Sequence, residues 1–203
     1  MEEARRANIF IRIDMEDSSL TQMTLELFRK VRDGGFSNHV GIVIQASLYR
    51  SEQDVKDLLA EDSKIRLCKG AYNEPRSVAY PRKRDVDANF DHITSLMLEK
   101  SLYSRTKISP EGIFPPIPAI ATHDRLRVAY ACSYAEKIGL SKQGLEFQML
   151  HGIRESLQSS LAEEGYPVRV YVPYGREWYP YFVRRLAERP ANLWFFLTSL
   201  IRR

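Results

Sequence analysis

Six short apolar runs along this chain each close on a polar or charged residue. Ile9-Phe-Ile-Arg-Ile ends at Asp14, Val40-Gly-Ile-Val-Ile at Gln45, and Lys64-Ile-Arg-Leu-Cys at Lys69. Ile117-Pro-Ala-Ile-Ala leads into Thr122-His123, Leu145-Glu-Phe into Gln148, and Val168-Arg-Val into Tyr171. Between the runs the spacing turns helical. Ser18 to Arg32 sets Leu20, Met23, Leu27, Phe28 and Val31 on one face and stops at Gly34-Gly35, with Asp17 and Ser18 expected as its cap. Ser51-Glu-Gln-Asp reads as a capped start for a helix to about Ala60. Asp85 to Tyr103, Asp124 to Ile138, Arg154 to Glu164, Glu177 to Glu188 and a short apolar stretch from Ala191 to Leu200 complete the helical set. An apolar run followed by a helical pattern, repeated along the chain, predicts parallel strands in βα units.

Strict alternation leaves two architectures. An open doubly wound sheet usually binds nucleotides through a Gly-rich first turn, and no GxGxxG is present. A barrel collects residues from many strand ends at one mouth, which suits a polar group at every run's end. The predicted fold is therefore α/β, a (β/α)8 TIM-barrel type. Only about six of its eight βα units can be counted in a single domain spanning 1–203, so either two strands go unrecognised or the N-terminal strands are missing.

Composition narrows the setting. Of the 203 residues, 44% are hydrophobic, which supports a core. No apolar run reaches the roughly 18 residues of a membrane span, and the opening Met-Glu-Glu-Ala-Arg-Arg lacks the apolar stretch of a secretory signal. Cys68 and Cys132 form no CxxC pair, and Cys68, inside a strand pattern, is expected to be buried. A cytoplasmic location follows as the expectation. The net charge of +4 suits an anionic partner. Arg82-Lys83-Arg84, followed by Asp85 and Asp87, reads as a solvated helix start, and no nucleic-acid motif accompanies it.

Arg66 and Lys69 flank Leu-Cys ahead of Gly70-Ala71-Tyr72, where a glycine lets backbone approach a ligand. Two cations there suit a pyrophosphate or a reduced cofactor; the plainer alternative pairs Arg66 with a carboxylate inside the barrel. Arg184 and Arg185 with Glu188 form either a carboxylate clamp or a surface ladder. His123 beside Thr122 lacks the HxH or HExxH company of a metal site, and no metal is expected. Asp14 is the acidic residue best placed to face inward. Tyr171, Tyr174, Trp178, Tyr179 and Tyr181 cluster as core or lid.

Seven stretches in order resemble the proline dehydrogenase family, in its monofunctional bacterial form. They are Arg12-Ile-Asp-Met-Glu-Asp, Gly41-Ile-Val-Ile-Gln-Ala, Arg66-Leu-Cys-Lys-Gly-Ala-Tyr, Ala121-Thr-His-Asp, Glu146-Phe-Gln-Met-Leu, Arg169-Val-Tyr-Val-Pro-Tyr-Gly and Trp178-Tyr-Pro-Tyr-Phe-Val-Arg-Arg-Leu-Ala-Glu. The resemblance implies a distorted barrel with non-covalent FAD. The reaction would be oxidation of L-proline to Δ1-pyrroline-5-carboxylate, with hydride passing to flavin N5 and electrons to a membrane quinone, hence a peripheral contact with the inner membrane. It puts Arg66 beside flavin N5, makes Arg66 and Asp14 the catalytic residues, and sets Asp14 in the pocket around the ring. Met15, Gln45, Lys69, Gly70, Ala71, Thr122, His123 and Gln148 would line the cofactor. Arg184 and Arg185 would hold the proline carboxylate, with Tyr72, Leu150, Tyr171 and Glu188 around the ring. The rival readings are an inactive truncated barrel without flavin and a metal-dependent barrel hydrolase.

Overall fold

The structure, a computed structural model, describes residues 1–104 and 108–175. The helices expected at Glu177 to Glu188 and Ala191 to Leu200 lie outside the described residues, as do Arg184, Arg185, Glu188, Trp178, Tyr179 and Tyr181. The chain forms two compact units, Met1–Val170 and Tyr171–Arg203. The second is described only over 171–175, where Tyr171 and Tyr174 are both exposed.

In the first unit, helix α1 (Glu2–Arg6) precedes strand β1 (Ile11–Ile13) and helix α2 (Thr21–Val31). Then come β2 (Val40–Gln45), α3 (Ser51–Ala60), β3 (Lys64–Cys68) and α4 (Lys83–Tyr103). β4 (Pro118–Ala121), α5 (Arg125–Lys137), β5 (Glu146–Leu150), α6 (Glu155–Glu163) and β6 (Val168–Tyr171) follow. The strands lie in chain order, β1-β2-β3-β4-β5-β6, and the pairs from β1 to β5 are parallel. Crossovers of one hand that always step the same way put every helix on the same face of the sheet. A doubly wound sheet would instead reverse its order somewhere. The result is a curled half-barrel, as the alternation predicted.

Register sorts the strand residues onto two faces, because side chains alternate along a strand. Ile42 pairs with Ile65 and Ile44 with Leu67, which in turn pairs with Ile120; Ile120 pairs with Phe147. These face the helices and join one core cluster with Leu25, Phe28, Val55, Leu58, Phe90, Ile93, Met97, Leu98, Val128 and Ala131. Each such fully buried side chain contributes about 1.5–3 kcal/mol.

The inner face is different in kind. Arg12 pairs with Gly41 and Gly41 with Lys64; Val43 pairs with Arg66, Arg66 with Ala119 and Ala119 with Glu146. Long charged chains thus alternate with small residues. A Cβ on Gly41 would stand 2.7 Å from Arg12 Nη1 and 2.8 Å from the Phe10 ring, so the guanidinium occupies space that only glycine leaves. At the amino end of the strands, Phe10 and Phe114 meet edge to face at 6.4 Å and close the floor. Lys64 Nζ sits over both rings, at 5.2 and 5.5 Å, and Arg12 over Phe10 at 5.0 Å.

Three local expectations need correction. Ser51 is not the cap of α3: Arg50 takes that place, and the Ser51 hydroxyl donates to Leu48 O at 2.6 Å. Asp17 and Ser18 do not cap α2 either. Asp17 accepts the Ser19 N–H at 2.9 Å, and α2 starts two residues later without a side-chain cap. Cys68 is only half-buried, because it points to the polar inner face rather than to the helices.

Candidate active site

The carboxyl ends of four strands carry Asp14 (after β1), Gln45 (end of β2), Arg66 and Lys69 (in and just after β3) and Thr122-His123 (after β4). Arg66, two residues from the end of β3, reaches across to the Asp14 carboxylate just beyond β1. The plain alternative for Arg66, pairing with a carboxylate in the barrel, is thereby realised, and it keeps the guanidinium at the mouth. Met15 beside Asp14 is buried. Gln45 donates to Glu16 O at 2.6 Å, while its own Oε1 is buried without a donor, as is the Ser47 hydroxyl. Gly70 adopts φ +106°, and a Cβ there would collide with Ser47 Oγ at 2.2 Å and approach Gln45 Oε1 to 3.0 Å. The glycine is needed twice, for its backbone angle and for its missing side chain. Ala71 and Tyr72 follow, with the Tyr72 hydroxyl bonded to the Glu16 carboxylate.

Lys69 turns away from the open mouth. Its ammonium binds Asp124 at 2.7 Å and Asp87, at the starts of α5 and α4. Lys83 joins Asp87, and Arg127 pairs with Asp91 at 2.6 Å. Burial raises Asp124, but the Lys69 hydrogen bond and charge outweigh it and hold the carboxyl down at about 2. Burial wins at Asp91 and pushes it up to about 6, with Arg127 opposing. Arg127 Nε and Asp91 Oδ1 lie close but make no aligned hydrogen bond, which fits that incomplete compensation.

At the β4 end, Thr122 Oγ1 accepts the Asp124 N–H at 3.1 Å. His123 Nε2 accepts the Leu150 N–H at 2.9 Å, so a proton on this ring at neutral charge belongs on Nδ1. Gln148, one layer below Leu150, donates to Glu146 at 2.6 Å. Glu146, almost wholly buried, also takes both ends of the Arg169 guanidinium, at 2.8 and 3.0 Å. Tyr171 closes β6 and belongs to the second unit.

Four charged inner-face residues escaped the sequence reading: Arg12, Lys64, Glu146 and Arg169. Their signal was there, as single charges at alternate positions inside apolar runs, Ile-Arg-Ile, Lys-Ile-Arg-Leu, Glu-Phe-Gln and Val-Arg-Val. Burial, with Arg66 next, lowers Arg12 to about 9; burial, with Arg12 next, lowers Lys64 to about 8. Among the described residues neither has a carboxylate partner, so the inner face is short of negative charge. An open recess of about 650 Å³ between α3 and α4, lined by Tyr49, Glu52, Tyr80, Arg82 and His92, includes none of the strand-end residues. Among the described residues no three His, Cys, Asp or Glu side chains are grouped to hold a metal, and no helix is long and apolar enough to cross a membrane.

A parallel half-barrel with a cationic inner face and a polar rim at the carboxyl ends of its strands defines a barrel-type α/β protein. Comparison with known proteins makes this specific. The proline dehydrogenase family model matches residues 1–196, and the chain belongs to that family. It is 40% identical over 203 residues to proline dehydrogenase 2 of Bacillus subtilis (strain 168), covering all of this chain and 62% of that one. It is 41% identical over 200 residues to the proline dehydrogenase of Deinococcus radiodurans, covering 98% of this chain and 60% of that one. The fold matches proline utilization A from Bdellovibrio bacteriovorus, inactivated by N-propargylglycine, with TM-score 0.78 and 32% identity over 91% of this chain and 20% of that one. The chain thus spans about three fifths of the length of these Bacillus and Deinococcus relatives.

Proposed function

We propose that this chain carries the cofactor-facing strand ends of an FAD-dependent proline dehydrogenase, which oxidises L-proline to Δ1-pyrroline-5-carboxylate and passes the electrons to a membrane quinone. Family membership supports the reaction. The observation that carries the site is Arg66, fixed at the end of β3 by Asp14 from the end of β1. The residues present suit a flavin: buried polar atoms without partners at Gln45 and Ser47, packed against Gly70, and a cationic inner face. A bound flavin supplies the two-electron acceptor for the hydride leaving the ring carbon beside nitrogen.

The chain's own groups do the rest. The Arg66 guanidinium stabilises negative charge developing on the cofactor, and the Asp14 carboxylate orients it. Met15, Gln45, Gly70, Ala71, Thr122, His123 and Gln148 would line the cofactor. Lys69 acts at the pyrophosphate only by giving up one of its two aspartates. The resemblance assigns Arg184 and Arg185, outside the described residues, to the proline carboxylate, a role two adjacent guanidiniums can fill.

In the whole protein, Arg66→Met lowers the flavin reduction potential and slows reduction by proline by about 3 kcal/mol of barrel-mouth stabilisation, the scale of one lost transition-state donor. Stopped-flow reduction and a potentiometric titration check both. An unchanged rate and potential would remove Arg66 from the chemistry. A protein that purifies without flavin absorbance, and takes up none when FAD is added, would instead support the inactive-barrel reading.

A further inference from the structure

The connection from β3 to α4 does not run straight to its helix. It doubles back across the end of β2 and reaches β1. Backbone bonds fasten its base to the β2 loop: Ser47 N–H to Lys69 O at 2.8 Å, Tyr80 N–H to Ser47 O at 2.8 Å, and Tyr49 N–H to Val78 O at 3.0 Å. Its tip grips the loop that follows β1. Both Glu74 carboxylate oxygens bind Ser18, one taking the N–H at 2.7 Å and the other the hydroxyl at 2.5 Å. Two residues back, Tyr72 holds the Glu16 carboxylate, and Gln45 holds the Glu16 carbonyl.

The stretch Asp14 to Asp17 belongs to neither strand nor helix, so no regular ladder sets its path. Asp14 nevertheless has to meet Arg66. The tie at Glu74 anchors the far end of that stretch, and the end of β1 anchors the near one.

We propose that Glu74 is a positioning residue: by clamping Ser18 through both carboxylate oxygens, it fixes the Asp14–Asp17 segment so that Asp14 holds Arg66 in its working orientation. The catalytic consequence rests on the function proposed above; the positioning itself does not. A carboxylate accepts both the N–H and the hydroxyl proton, whereas an amide accepts the N–H through its oxygen and has to reverse the second bond, its nitrogen donating to the hydroxyl oxygen, with no charge in either. Glu74→Ala removes both bonds, Glu74→Gln keeps both contacts without the charge, and Ser18→Ala keeps the backbone bond alone.

The test uses the 203-residue chain without added flavin. Amide exchange should rise at least tenfold at Ser18 in Glu74→Ala and spread to Met15–Asp17, with β2 and β3 amides unchanged. Glu74→Gln and Ser18→Ala should fall between. The Arg66 Nε–H resonance should shift in Glu74→Ala toward its position in Asp14→Asn, an effect that general destabilisation would not produce. Wild-type exchange at Ser18 and an unmoved Arg66 resonance would overturn the proposal. In the whole protein, Glu74→Ala should lower kcat at least tenfold with a smaller change in KM, and Asp14→Asn added to it should lower kcat little further. Fully additive losses would mean that Glu74 does not act through Asp14. Altered exchange in a protein that never oxidises proline would leave the positioning intact and remove the proposed reaction.

Discussion

A lysine that faces the inside of a half-barrel without a carboxylate is held there against its charge. Lys64 is 8% exposed, and its nearest acceptor is Asn38 O at 3.4 Å. Its folded pKa of about 8 lies below the ordinary lysine value of 10.5. Between those values the unfolded chain binds more protons than the folded one, so stability rises as pH climbs from about 8 to 10.5. Below pH 8 the penalty on the charged form is fully present. Lys64→Met should therefore stabilise the chain at pH 7 by about 1–3 kcal/mol and flatten that alkaline rise. Urea melts at pH 7 and 10 check it; equal stability of parent and variant at both would mean that Lys64 has found a counter-charge. Lys64 also shows what the sequence hid at this scale. Its alternate position inside an apolar run was readable, but the shortage of carboxylates around it depends on side chains from four strands at once.

Helix and strand existence was legible where the physics is local. A strand buried on both faces reads as an apolar run, and all six runs became strands. Helix starts fared unevenly because polar side chains there had other partners. Ser18 is bound by Glu74 from 56 residues away, and Ser51 by the Leu48 carbonyl. Helix α1 lacks apolar periodicity and is held by Glu2–Arg5 and Glu3–Arg6 pairs at 2.6 and 2.8 Å. At α5 the helix does open at Asp124, which caps it by accepting the Leu126 N–H at 3.0 Å. The same carboxylate binds Lys69, so cap and ion pair share one group. Asp124→Ala should cost about 2 kcal/mol, of which about 1 is the cap; Asp124→Asn should restore the cap alone. With its folded pKa at about 2, below the ordinary aspartate value of 3.8, Asp124 contributes stability above about pH 4 that is lost as pH falls toward 2. Denaturant melts from pH 5 to 2 should show a shallower acid limb in both variants. The positions of the strand-end residues were thus readable, but not their partners, since Lys69 pairs with aspartates 18 and 55 residues on.

At the scale of the whole sheet, β1 leads the strand order and pairs, among the described residues, only with β2. Its flank is apolar, with Ile9 50% and Ile11 37% exposed. An exposed apolar edge is a template for strand addition. The 203-residue chain should self-associate with rising concentration, and Ile11→Lys should suppress this without lowering the melting temperature much. Light scattering across a dilution series separates the two; an edge that stays monomeric as wild type would show that β1 is already protected. The chain-order arrangement of the strands also bears on how the molecule is made. Each strand lies beside the one synthesised just before it, so a sheet can grow one βα unit at a time as the polypeptide leaves the ribosome, closing only short loops at each step. The strap from β3 breaks that progression, because Glu74 must return to Ser18, 56 residues earlier. The rim that faces the ligand is therefore set only after three strands of the wall beneath it are in place.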